Sequence, residues 1–195
     1  VGILVALHER ERTGRGRYVT TSLLESMIGM LDFQAARFTV AGEVPPQAGN
    51  DHPTLGPMGM YATRDGHMNL AAPWGRMWSA LCEILERPEP ENDPRFATAN
   101  DRALNRAALN IEIETALAPR TTEDWVERLN AVGIPSGPVN DLAQTFADPQ
   151  VKHLGVAAKV THPGVGEIEI MRNATHLDGV SDDSLFYTSP SPRDS

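Results

Sequence analysis

The chain has 195 residues, 41% of them hydrophobic, a formal net charge of −9 and one cysteine, Cys82. That length buries one ordinary core or two small ones, the acidic balance argues against a nucleic-acid binder, and a lone cysteine excludes an internal disulfide and a Cys-based zinc site. No run reaches the roughly 18 apolar residues of a membrane span and the start lacks a secretion signal's residue order, so a soluble cytoplasmic protein with no nucleic-acid, membrane or metal partner is expected.

Val1, Ile3, Leu4, Val5 and Leu7 open a helix too apolar for a solvated terminus, which predicts enclosing polypeptide upstream. The helix ends at Thr13-Gly14-Arg15-Gly16, and Tyr18-Val19-Thr20-Thr21 reads as a short strand. Ser22, with Glu25 three residues on, starts a second helix as a capping box. Its apolar stripe is Leu24, Met27, Ile28, Leu31, Ala35 and Phe38, and Gly42, Pro45 and Pro46 close it. Met60–Thr63 and His67–Leu70 flank an Asp65-Gly66 turn and predict a hairpin. Trp74, Met77, Trp78, Leu81, Cys82 and Leu85 recur at helical spacing, and Pro88, Pro90 and Pro94 mark a loop.

Asp101 is expected to cap a helix that carries Leu104, Ala108, Ile111 and Thr115 and stops before Pro119. Thr121, with Asp124 at N3, caps the next, and Gly133 ends it. "GIPSGPVND" is an extended connector to a short helix with Leu142 and Phe146. Val156–Thr161 and Glu167–Met171 pair across Pro163-Gly164, and the Ser/Pro-rich end is expected to be disordered.

Gly14-Arg15-Gly16 suggests a phosphate cradle, but a helix precedes it and a strand follows, the reverse of a dinucleotide fingerprint. A helix cap explains it better. Arg10, Arg12, Arg15 and Arg17 form the one basic stretch, able to meet a small anion. The histidines His8, His52, His67, His153, His162 and His176 show no metal-ligand spacing, and His8 reads as a surface residue. His52, in Gly49-Asn50-Asp51-His52-Pro53, either hydrogen-bonds only its own loop or meets a ligand there. Cys82 sits on an apolar stripe as a small hydrophobe, the three tryptophans read as core anchors, and Glu89, Glu91 and Asp93 read as a solvated loop.

Four segments occur in order: "GILVALHERERTGRGRYVTTSLLES", "GNDHPTLGPMGMYATRDGHMNLAA", "DPRFATANDRALNR" and "GIPSGPVND". Together they resemble the family III CoA-transferases, from Gly2 to about Leu177. The resemblance implies an α/β fold, the C-terminal portion of a two-domain protein. Part of a Rossmann-like large domain would be joined to an inserted smaller α+β domain. Residues 1–44 would end the first part of the large domain, 45–120 would form the small domain, 121–181 would return to the large one, and 182–195 would be a non-native, disordered tail.

It also implies an interlocked homodimer and the transfer of CoA from an acyl-CoA donor to a small carboxylic acid. Coenzyme A thioester is then a substrate, with no tightly bound cofactor. In that chemistry an aspartate carboxylate attacks the thioester, forms a mixed anhydride and exchanges through an enzyme-bound CoA thioester. The resemblance puts that aspartate before Val1, so no catalytic residue is expected in this chain, which would be truncated at both ends and inactive alone. The substrate-facing loop falls on Gly49, Asn50, His52, Pro53, Thr54, Leu55 and Gly56. Arg17 stands where the family often has glutamine and is given no role. A 2-methylacyl-CoA racemase and a non-catalytic binding or assembly piece are the alternatives.

Overall fold

The computed structural model describes residues 1–162, 164–171 and 174. The expected disordered tail therefore lies outside the described residues, as do His176 and the side chain of His162. Helix α1, Gly2–Thr13, stops where Gly14 turns left-handed at φ 71° and donates its N–H to Arg10 O at 2.8 Å. A side chain is strained in that region, so glycine is what lets the chain turn there.

Residues 18–21 do not form the expected strand. A strand exists through its ladder, and among the described residues none lies beside this segment. Ser22 accepts from Glu25 N at 3.2 Å and donates to Glu25 Oε2 at 2.7 Å, starting α2, Leu23–Gly29. The single long helix expected here is two, because the chain turns at Met30-Leu31 before α3, Asp32–Ala41. Gly29, a poor helix former, ends the first of them. None of α1, α2 or α3 has a buried residue.

Strands β1, Met58–Ala62, and β2, His67–Ala71, form the expected hairpin, with Tyr61 opposite Met68. Alternation sends Met68 and Leu70 inward and leaves His67 and Asn69 outside. Asp65 in the turn accepts from Thr122 N at 2.8 Å, which ties the hairpin tip to a later helix. The connector "GIPSGPVND" contributes a third strand, β3, Ser136–Pro138, antiparallel to β2 with Gly137 opposite Asn69. The sheet order is β1-β2-β3.

Helix α4, Gly75–Ile84, buries Trp78, Leu81 and Cys82. Trp74 is 55% exposed at its N-cap and is no core anchor, unlike Trp78 and Trp125. Where a loop was expected, α5, Glu89–Asn92, and a 3-10 turn, Pro94–Phe96, form instead; proline is tolerated in a first turn. Glu89 pairs with Arg87, and Asp93 caps the 3-10 turn and pairs with Arg95.

The next helix is capped by Thr98, and Asp101 is the N3 acid of a complete capping box. It breaks at Asn105 into α6, Ala99–Leu104, and α7, Arg106–Leu117. The break resets the helical phase. The inward row is Leu109, Ile113 and Leu117, while Leu104 and Ile111 are exposed.

Helix α8, Thr122–Ala131, starts at Thr121, which accepts from Asp124 N at 3.2 Å, as expected. Trp125, Leu129 and Ile134 join Tyr61, Met68, Leu81 and Leu109 in one core. Each leucine fully buried there contributes about 2 kcal/mol. The packed unit thus runs past residue 120 and takes in α8 and β3. Beyond it lie α9, Leu142–Ala147, the unforeseen α10, Pro149–Leu154, and an antiparallel pair, β4, Ala157–His162, with β5, Gly166–Met171.

Candidate ligand cleft

An open cleft of about 680 Å³ lies between the loop at residues 49–53, the edge of the β1–β2 hairpin and the start of β3. Of the seven residues expected at a substrate loop, Gly49, Asn50, His52 and Pro53 line it. Thr54, Leu55 and Gly56 do not; they form the loop's return and hold its shape from behind. Asp51, Gly59, Asn69, Ser136 and Gly137 also line the cleft and were not foreseen. The last three reach it only because β3 pairs with β2, which no local signal announces.

The loop folds back on β1 through His52 N donating to Met58 O at 2.8 Å. Its close approach depends on Gly59. A Cβ there would collide with Asp51 Oδ1 and lie 3.2 Å from the Asn50 carbonyl oxygen. The His52 ring closes the loop on itself. Its Nδ1 accepts from Leu55 N at 3.1 Å and Thr54 N at 3.3 Å, while α3 stacks Phe33 on the ring, 5.9 Å between centroids and 12° between planes.

Helices α6 and α7 anchor the loop from below. Arg102, 2% exposed, donates to Gly56 O at 2.9 Å, Phe96 O at 2.8 Å and Pro73 O at 2.8 Å, with its guanidinium 5.0 Å over the Trp78 ring. Burial lowers its pKa, yet an arginine so placed stays protonated. Arg106 donates to Leu55 O at 2.9 Å and stands 3.8 Å from Asp51, which also accepts from Asn110 at 3.2 Å. Tyr61 is fully buried beside this cluster and its hydroxyl has no partner among the described residues. Burial, and then the charge of Asp51, hold its pKa well above the usual phenol range, so it stays neutral.

Among the described residues no hydroxyl stands beside a base to be activated by it at the cleft: Thr54 Oγ1, in the loop's return behind the lining, is 3.5 Å from His52 Nδ1, beyond the reach of an activated pair. Cys82 is buried in the core, and burial pushes its thiol up to about 12. The described residues contain no His, Cys, Asp or Glu group fit for a metal ion. Gly14 is a helix cap, and Arg17 pairs with Glu9, which occupies part of the basic stretch. His8 is exposed on α1. No helix among the described residues is long and apolar enough to cross a membrane.

The sequence pattern of CoA-transferase family III matches residues 1–192, further than the resemblance to about Leu177. The chain is 37% identical over 170 residues to the succinyl-CoA:mesaconate CoA-transferase of Haloarcula marismortui, covering 86% of this chain and 41% of that one. It is 31% identical over 149 residues to the acetyl-CoA:oxalate CoA-transferase of Acetobacter aceti, covering 76% and 38%. The fold matches the crystal structure of a CAIB/BAIF family protein from Brucella suis with a TM-score of 0.74 and 33% identity, over 91% of this chain and 46% of that one. The chain thus spans less than half the length of these relatives. With the ordered motifs, the fold and the sequence pattern in agreement, the chain belongs to CoA-transferase family III.

Proposed function

We propose that the chain is part of a CoA-transferase that moves CoA from an acyl-CoA donor to a small carboxylic acid, and that the cleft receives the acid. The carrying observation is that the loop expected to face the substrate puts Gly49, Asn50, His52 and Pro53 on one open cleft. Relatives named for CoA transfer to mesaconate and oxalate support transfer over epimerisation. The volume suits a short carboxylic acid with room for part of a thioester. On this reading none of Asp32, Asp51 and Asp65 is the nucleophilic aspartate: Asp51 is ion-paired, Asp65 sits at the head of α8, and Asp32 begins α3. The resemblance puts it ahead of the Gly2–Leu7 segment.

The proposal extends to a cytoplasmic, interlocked homodimer without a tightly bound cofactor. Residues 1–44 would belong to the large domain, the small domain would begin at residue 45, and the chain would return after β3. Ending the small domain at Pro138, not at residue 120, is supported by the packing of α8 and β3 on its core.

The test supplies succinyl-CoA with mesaconate, glutarate or oxalate and follows the new CoA thioester by chromatography. The full-length translation product of the gene is expected to transfer CoA to at least one acid, and the 195-residue chain to transfer none. Failure of the full-length product with every acid, or loss of the α-proton of a 2-methylacyl-CoA without transfer, overturns the assignment. Transfer by the 195-residue chain overturns the placing of the nucleophile.

A further inference from the structure

The two nitrogens of His52 are not equivalent. Nδ1 accepts from two backbone N–H groups of its own loop, Thr54 at 3.3 Å and Leu55 at 3.1 Å. A nitrogen that accepts carries no proton, so the neutral ring must hold its proton on Nε2. Nε2 makes no hydrogen bond among the described residues, and the residue lines the cleft. Ring flipping is opposed twice, because it breaks both loop bonds and must occur against the stacked ring of Phe33. Arg106, bound to Leu55 O and close to Asp51, holds both ends of the same loop and so fixes where the ring stands.

We infer that His52 is locked by its loop as the Nε2–H tautomer and donates that proton in a hydrogen bond to a carboxylate oxygen of the acid in the cleft. This rests on the reading of the cleft as the acid's site and adds the group that recognises it. The donor is uncharged and prepared before the ligand arrives, so no proton moves on binding. Its acceptor is anionic, which makes the bond stronger than a neutral pair. His52 is therefore a specificity residue, which favours a ligand with an acceptor at that point over one of the same shape without it.

The test has a part that needs no ligand. Nitrogen NMR of the 195-residue chain carrying ¹⁵N-histidine, at about pH 8 where an ordinary imidazole is neutral, is expected to show Nε2 protonated and Nδ1 bare. The opposite tautomer, or a rapidly exchanging mixture, overturns the inference. Succinate is the probe for the second part and is expected to shift the Nε2 signal.

His52→Asn keeps an acceptor near Nδ1, but its shorter amide places no donor at the Nε2 position, and it is expected to weaken succinate binding about tenfold to a hundredfold while the Thr54 and Leu55 amide signals stay in place. His52→Gln keeps a donor near Nε2 and is expected to retain more of the affinity than the asparagine variant. Unchanged affinity in His52→Asn overturns the donor role alone. If succinate shifts no signal of Gly49, Asn50 or Gly137, the reading of the cleft fails, and the carboxylate contact fails with it.

Discussion

Arg102 shows how much one side chain can organise. Its three bonds close on carbonyls 46, 29 and 6 residues away, joining the return of the loop at residues 49–53, the strand-to-helix turn before α4 and the 3-10 turn. Arg102→Met removes the donors and leaves three buried acceptors, each costly to strand. The expected loss is about 3 kcal/mol or more, read from urea unfolding. Arg102→Lys is expected to recover only part, since an ammonium cannot match the flat fork of a guanidinium. A melt unchanged by Arg102→Met would show that the carbonyls find water instead. The motif "DPRFATANDRALNR" contains this arginine, but the sequence offered no sign that it is 2% exposed. Charged residues are almost never buried, and only its distant partners permit it.

Between elements, the tie from the hairpin turn to α8 is electrostatic. The backbone N–H of Thr122, first, and then its hydroxyl bond Asp65 and lower its pKa below the usual carboxylate range. A carboxyl with a lowered folded pKa stabilises fully above its unfolded value, about 3.9, and that stabilisation is lost as pH falls through the folded value. Asp65→Ala is therefore expected to melt below the parent near neutral pH, with the gap closing below about pH 4. A gap that persists unchanged in acid would mean the contact does not depend on the charge. The hairpin was readable because Asp-Gly sets its turn locally. The partner of Asp65, 57 residues away, was not.

Across the whole molecule, apolar surface is unevenly covered. The unit around β1–β3 has a buried core, whereas no residue of α1, α2 or α3 is buried: Leu23 is 88% exposed, Leu24 70%, Met30 75% and Val40 86% on α2, α3 and their junction. Soluble monomers seldom leave such patches bare. The 195-residue chain is expected to bind a hydrophobic dye and to self-associate with rising concentration in sedimentation. A dye-silent monomer would contradict the proposal that this face is covered in an interlocked dimer.

What the sequence determined alone was local. The Gly14 and Gly42 stops, the Ser22 and Thr121 caps and the β1–β2 turn all depend on partners within a few residues, so their chemistry is written side by side. The missed features depend on distance in the chain. Residues 18–21 have strand composition but no ladder, β3 becomes a strand only against β2, and α7 takes its phase from the break at Asn105 and from the core it meets. The loop at residues 49–53 belongs to one of the ordered motifs, but its cleft exists because Gly59 lets the loop lie on β1 and β3 closes the far wall. Tertiary structure decided those points, because a buried contact stabilises only when both partners arrive together.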